Sequence, residues 1–66
     1  MNNQEQYDLN HFNRIDKIRS ANQMLGEFKK LDCVTRHGVI IIALDTSRFQ
    51  YTWSWIAKEC NLYPPK

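Results

Sequence analysis

The sequence predicts an α+β protein of order αββα: a long N-terminal helix, a β-hairpin and a C-terminal helix, completed by dimerisation. Three observations carry this. Apolar residues recur every three or four positions from Phe12 to Phe28, an apolar run at 39–44 follows Arg36-His37-Gly38, and two aromatic stripes follow Ser47. The periods switch from helical to extended and back, which is the pattern of mixed secondary structure.

The first helix is read from Phe12, Ile15, Ile18, Ala21, Leu25 and Phe28, beginning near Asp8 and ending near Lys30. This spacing lines one face of an α-helix. Ser20, Asn22 and Gly26 are weaker helix formers, so a kink or break is expected near Ser20. Met24 and Leu31 lie off the main stripe, which implies cover on more than one side of the second half. Residues 1–7, rich in Asn and Gln, have little to bury and are expected to fray.

The hairpin is read from residues 31–35 and 39–44, with Gly38 supplying a positive φ at the turn. The second strand is apolar at each position. Ile40, Ile42 and Leu44 would therefore point away from Val39, Ile41 and Ala43, and offer a dimer or sheet interface.

For the last helix, Ser47 and Gln50 match a capping box, with Asp45 or Thr46 as other possible caps. At roughly 100° per residue, Phe49, Trp53, Ile56, Cys60 and Tyr63 share one face, and Tyr51, Trp55 and Leu62 lie nearly opposite. One face fills the core; the other asks for a partner. Asn61 suits the left-handed position after the helix, Leu62 can fold back on Ile56 or Ala57, and Pro64-Pro65 stops continuation.

Composition limits the rest. The 66 residues form a single small domain, in which about 60% of the unfolded surface is buried and a staple is usually needed. Cys33 and Cys60, without a signal peptide, read as reduced, buried residues of a cytoplasmic protein rather than a disulfide. His11, His37, Cys33 and Cys60 have no metal-ligand spacing. Dimerisation is the staple that remains. Nine Lys and Arg against seven Asp and Glu give a net charge of +2, too little to argue for nucleic acid. No apolar run reaches the roughly 18 residues of a membrane span.

No catalytic constellation is predicted. His37 reads as a polar turn residue, His11 as a packing residue, Asp45 as a cap and Cys60 as core, since acid–base work needs positioned partners. The expectation is a non-enzyme without cofactor. Arg48, Tyr51, Trp55, Lys58 and Leu62 make the candidate partner-binding surface, because Tyr, Trp and Arg dominate interface energetics.

Two resemblances add to this. The run 58–65, Lys-Glu-Cys-Asn-Leu-Tyr-Pro-Pro, resembles the end of the DNA-reading helix of phage excisionases, although here a strand is expected before it and the chain stops after it. The helix from Ile15 to Lys30, followed by 31–34 and 38–42, is similar to small prophage-encoded regulatory proteins that pair a helix with a hairpin. Some of those are antirepressors. The resemblance implies a regulator that occludes a protein partner such as a repressor or a host factor. A small DNA-binding regulator, using Arg48, Lys58 and basic residues of the first helix against phosphates, is the alternative.

Overall fold

The computed structural model describes residues 3–62, and its four helices are α1 (Asn3–Asp16), α2 (Ala21–Lys29), α3 (Cys33–Thr46) and α4 (Gln50–Glu59). None of the described residues forms a strand. Tyr63 and Pro64-Pro65 lie outside the described residues.

The predicted αββα architecture is therefore corrected: residues 33–46 form α3 instead of a hairpin. The N-terminal signal for this helix is Asp32, whose carboxylate Oδ1 accepts the Thr35 N–H at 3.0 Å. An Asp cap satisfies a backbone donor that a starting helix leaves open. The buried residues Thr35, Val39, Ile40 and Ala43 then fall on one helical face. The β-branched Val and Ile cost a few tenths of a kcal/mol each in helix propensity. Burial against two neighbouring helices outweighs that cost. A helix also satisfies its own backbone, whereas a lone hairpin is marginal in water.

Gly38 accordingly makes no turn; it lies within α3 and has no positive φ. Its role is close approach. A Cβ at this position would overlap the carboxylate of Asp8 and lie 3.2 Å from that residue's own Cβ, so α1 crosses α3 here because no side chain is in the way.

The N-terminal stripe is divided where the weak helix formers stand. α1 stops at Asp16 and Ser20 starts α2, its Oγ accepting from Gln23 N–H at 3.3 Å. α1 begins at Asn3, earlier than the Asp8 start that the apolar spacing predicts. Side-chain pairs one turn apart support this end: Gln4 donates to Asp8 at 2.7 Å and Gln6 to Asn10 at 3.0 Å. α2 closes near Lys30, with Leu31 N–H bonded to the Phe28 carbonyl.

The core draws on all four helices: Phe12 and Ile15, Met24 and Phe28, Val39, Ile40 and Ala43, Trp53, Ile56 and Ala57. Trp53 is its centre. Its residue exposure is 0%, and its ring lies 5.7 Å from Phe12 and 6.0 Å edge-on to Phe28. Such tilted and edge-to-face pairs are the favoured aromatic geometries.

The expected capping box at Ser47 is also corrected. Ser47 ends α3, giving its N–H to the Ala43 carbonyl, and α4 starts at Gln50 after Phe49. Gln50 Nε2 donates instead to the Leu44 carbonyl, an open acceptor at the end of α3. Phe49, expected in the core, precedes the helix and is 52% exposed.

The other end of α4 follows expectation. Asn61 has φ 59°, Leu62 N–H reaches the Ala57 carbonyl at 2.7 Å and Asn61 N–H the Lys58 carbonyl at 3.1 Å. These are the two crossed bonds of a Schellman end, and Leu62 folds back on the core.

Candidate partner-binding surface

Because α4 turns Trp53, Ile56 and Ala57 inward, the residues on the opposite side of the helix face out. Tyr51, Ser54, Trp55 and Lys58 line one shallow surface groove. Tyr51 is 91% exposed, whereas Trp55 is half-buried with part of its ring against the core. The structure thus brings together three of the predicted residues, Tyr51, Trp55 and Lys58. Arg48 is exposed in the corner before α4. Leu62 does not join them, because the Schellman end commits it to the core.

The predicted dimer or sheet residues separate. Ile40 is a buried core residue of the monomer, since in a helix it turns inward beside Val39 and Ala43. Ile42 and Leu44 are half-buried and packed against the core. With Ile41, Asp45 and Thr46 they line a hollow on α3.

Sequence reasoning missed a trough between α1 and α3, lined by Glu5, Asp8, Leu9, Gly38, Ile41 and Ile42. Leu9 and Ile41 are exposed at 38% and 53%. Its sequence signal was weak: Leu9 lies one residue from the start expected for the first helix, and Ile41 sits in a run taken as extended.

The reactive-looking side chains have structural employment. Cys33, expected to be buried, is exposed at the first position of α3 and lies 4.0 Å from His37 Nδ1. That nitrogen also lies 3.0 Å from the Cys33 carbonyl, which can only accept, so Nδ1 carries the hydrogen and offers the thiol no basic lone pair. Cys60 is half-buried and both thiols are free. His11 Nδ1 accepts from Arg14 at 3.2 Å, and the His11 ring meets Tyr7 edge-on. Asp45 is exposed in the last turn of α3 and caps no helix. Among the described residues no group of three His, Cys, Asp or Glu is placed to hold a metal ion.

Two carboxylates are held in their charged form. Hydrogen bonds from Arg14 and then Lys30 put Glu27 below its ordinary value of 4.5. Bonding from Thr35, through its hydroxyl and then its backbone N–H, puts Asp32 below 3.8. Arg14–Glu27 at 3.0 Å ties α1 to α2, and Arg36 Nη2 donates to the Lys29 carbonyl. These cations serve the fold. Lys17 and Arg19 line a different hollow, with Phe49 and Thr52, from the one that Lys58 lines.

No protein-family model, curated protein or solved structure matches the chain. No helix among the described residues is long and apolar enough to cross a membrane.

Proposed function

We propose that the protein is a non-enzymatic binding module that acts in the cytoplasm by occluding a protein partner through the outer face of α4. The observation that carries this reading is the pairing of a nearly fully exposed Tyr51 with Trp55 and Lys58 in one groove. Tyr and Trp are among the residues in which binding hot spots are enriched. A repressor or a host factor is the partner class to assay first. The helix-plus-hairpin resemblance lends that choice less weight now that α3 replaces the hairpin.

Tyr51→Ala is the cleanest test, because the side chain touches little and its removal should change stability by no more than about 0.5 kcal/mol. Partner binding, measured by calorimetry on a captured protein, should weaken by about 2 kcal/mol. Trp55→Ala should weaken it as well, at some cost in stability from the buried part of its ring. An unchanged affinity in both variants would sink the reading. Mobility shift of DNA with affinity falling steeply with salt would favour the DNA-binding alternative.

A further inference from the structure

We propose that Cys33 and His37 form half of a zinc site, which a second copy of this chain completes with the same two residues. Folding residues 33–46 into α3 sets Cys33 and His37 four positions apart on one helical face, a relation that a turn at 36–38 would not give. Thiolate sulfur and imidazole nitrogen are both zinc ligands. The Sγ of Cys33 lies 4.0 Å from Nδ1 of His37, so the thiol already stands beside the ring.

The imidazole is also oriented for the task. Nδ1 donates to the Cys33 carbonyl at 3.0 Å, which fixes the tautomer and leaves the lone pair on Nε2. A backbone carbonyl on the other ring nitrogen is a common partner of a metal-bound histidine, holding its ring and raising its basicity. Both side chains are exposed, so no core contact has to open for a metal to enter.

One chain supplies only two ligands. Among the described residues no third Cys, His, Asp or Glu joins them, and the neighbouring Asp32 carboxylate is committed to the Thr35 N–H. A structural zinc takes four ligands in a tetrahedron, and two copies about a twofold axis provide the closed set of two sulfurs and two nitrogens. The apolar residues beside the pair favour a second copy over water as the completing group. Cys33, His37, Ile41 and Val34 fall within about 100° of the α3 circumference, and Val34 and Ile41 are exposed at 62% and 53%. A second α3 laid across this strip covers apolar surface while it delivers its ligands. On coordination each thiol gives its proton to solvent, and the two thiolates balance the charge of the dication.

Titration of the full, reduced chain with Co²⁺ and then Zn²⁺, followed by sedimentation, tests this. The expected result is one metal per two chains, thiolate-to-cobalt charge-transfer absorption with the intense visible bands of a tetrahedral site, and a mass that doubles with metal and returns with EDTA. Loss of an outer partner of a metal ligand alone costs about 10- to 100-fold in affinity, so Cys33→Ser and His37→Ala should each weaken binding at least about 100-fold. Cys60→Ser should bind as the native chain does. Circular dichroism checks that each variant folds. Binding of one metal per chain without doubling of mass, a pale octahedral cobalt spectrum, no binding by the native chain, or unchanged binding by either ligand variant overturns the inference. None of these outcomes touches the α4 reading, whose residues lie on another helix.

Discussion

Asp8 and Asp16 stand about two turns apart on α1, and each meets the rest of the molecule at a carboxylate. The resemblance ends there. Asp8 works by shape: its carboxylate takes one hydrogen bond from Gln4 of its own helix and fills the space left by the missing side chain of Gly38. Asp16 works by convergence. Its Oδ1 accepts from Ser47 Oγ and from Trp53 Nε1, both at 2.8 Å, so one oxygen ties α1 to the end of α3 and to the centre of α4. A buried indole N–H needs an acceptor, and a charged one makes the stronger bond. One acid marks where two helices touch; the other decides how three are held.

The largest expected effect lies at the Asp16 end. Trp53→Ala removes a fully buried ring and should cost about 3–5 kcal/mol. A domain near the low end of the usual range of about 5–15 kcal/mol would unfold at room temperature or just above it. Retained cooperative melting near the native temperature would show that the core does not centre on Trp53.

At the Asp8 end, Gly38→Ala puts a methyl into the Asp8 carboxylate and should cost about 1–3 kcal/mol, despite the roughly 1 kcal/mol that Ala gains in helix propensity. In an Asp8→Ala background the same change should cost clearly less, since the carboxylate is gone and only the close Cβ at 3.2 Å remains. Denaturant midpoints for the four proteins decide this. Equal effects of Gly38→Ala in both backgrounds would break the shape argument.

Asp16→Ala leaves two donors of the interior unpaired and should cost about 1–3 kcal/mol. Asp16→Asn keeps an oxygen in place and should cost less. If the two variants are equally unstable, charge rather than hydrogen bonding matters at this site.

The smallest effect concerns the ends of α2 and α3. Glu27 and Asp32 have folded values below their ordinary 4.5 and 3.8, so their contribution is present at neutral pH and lost as pH falls through the depressed values. The melting temperature should be level down to about pH 5 and decline below about pH 4. Asp32→Asn should keep a capping oxygen while shrinking that decline, and an unaltered pH profile would remove Asp32 from the account.

Much of α1, α2 and α4 was legible because local rules and burial agree there. Ser20 is both a poor helix former and a cap, and Asn61 tolerates the left-handed turn that lets Leu62 fold back. α3 was illegible for the opposite reason. An apolar run at 39–44 has no polar positions to show its period, and Gly38 beside Arg36-His37 has the composition of a turn. What makes residue 38 a glycine is a carboxylate thirty residues earlier in the chain, a fact of packing rather than of local sequence. Asp32 ahead of Thr35 is a local sign of a helix that the reading of residues 31–35 as a strand passed over. At the candidate surface, Tyr51 and Trp55 were readable from spacing alone, whereas the trough needed α3 to be a helix before it existed.

The corner between α3 and α4 closes on itself: Ser47 N–H to Ala43, Phe49 N–H to Ser47 Oγ at 2.9 Å and Gln50 to Leu44 all lie within eight residues. The bonds from Asp16 span 31 and 37 residues. Closing a short segment costs little chain entropy and closing a long one costs more, so the corner should form early in folding and α1 should dock late. Contacts made late are absent from the transition state. Stability removed at Asp16 should therefore appear in a chevron as faster unfolding with an almost unchanged folding arm, making the Asp16 bond the latch that sets how long the native state lasts.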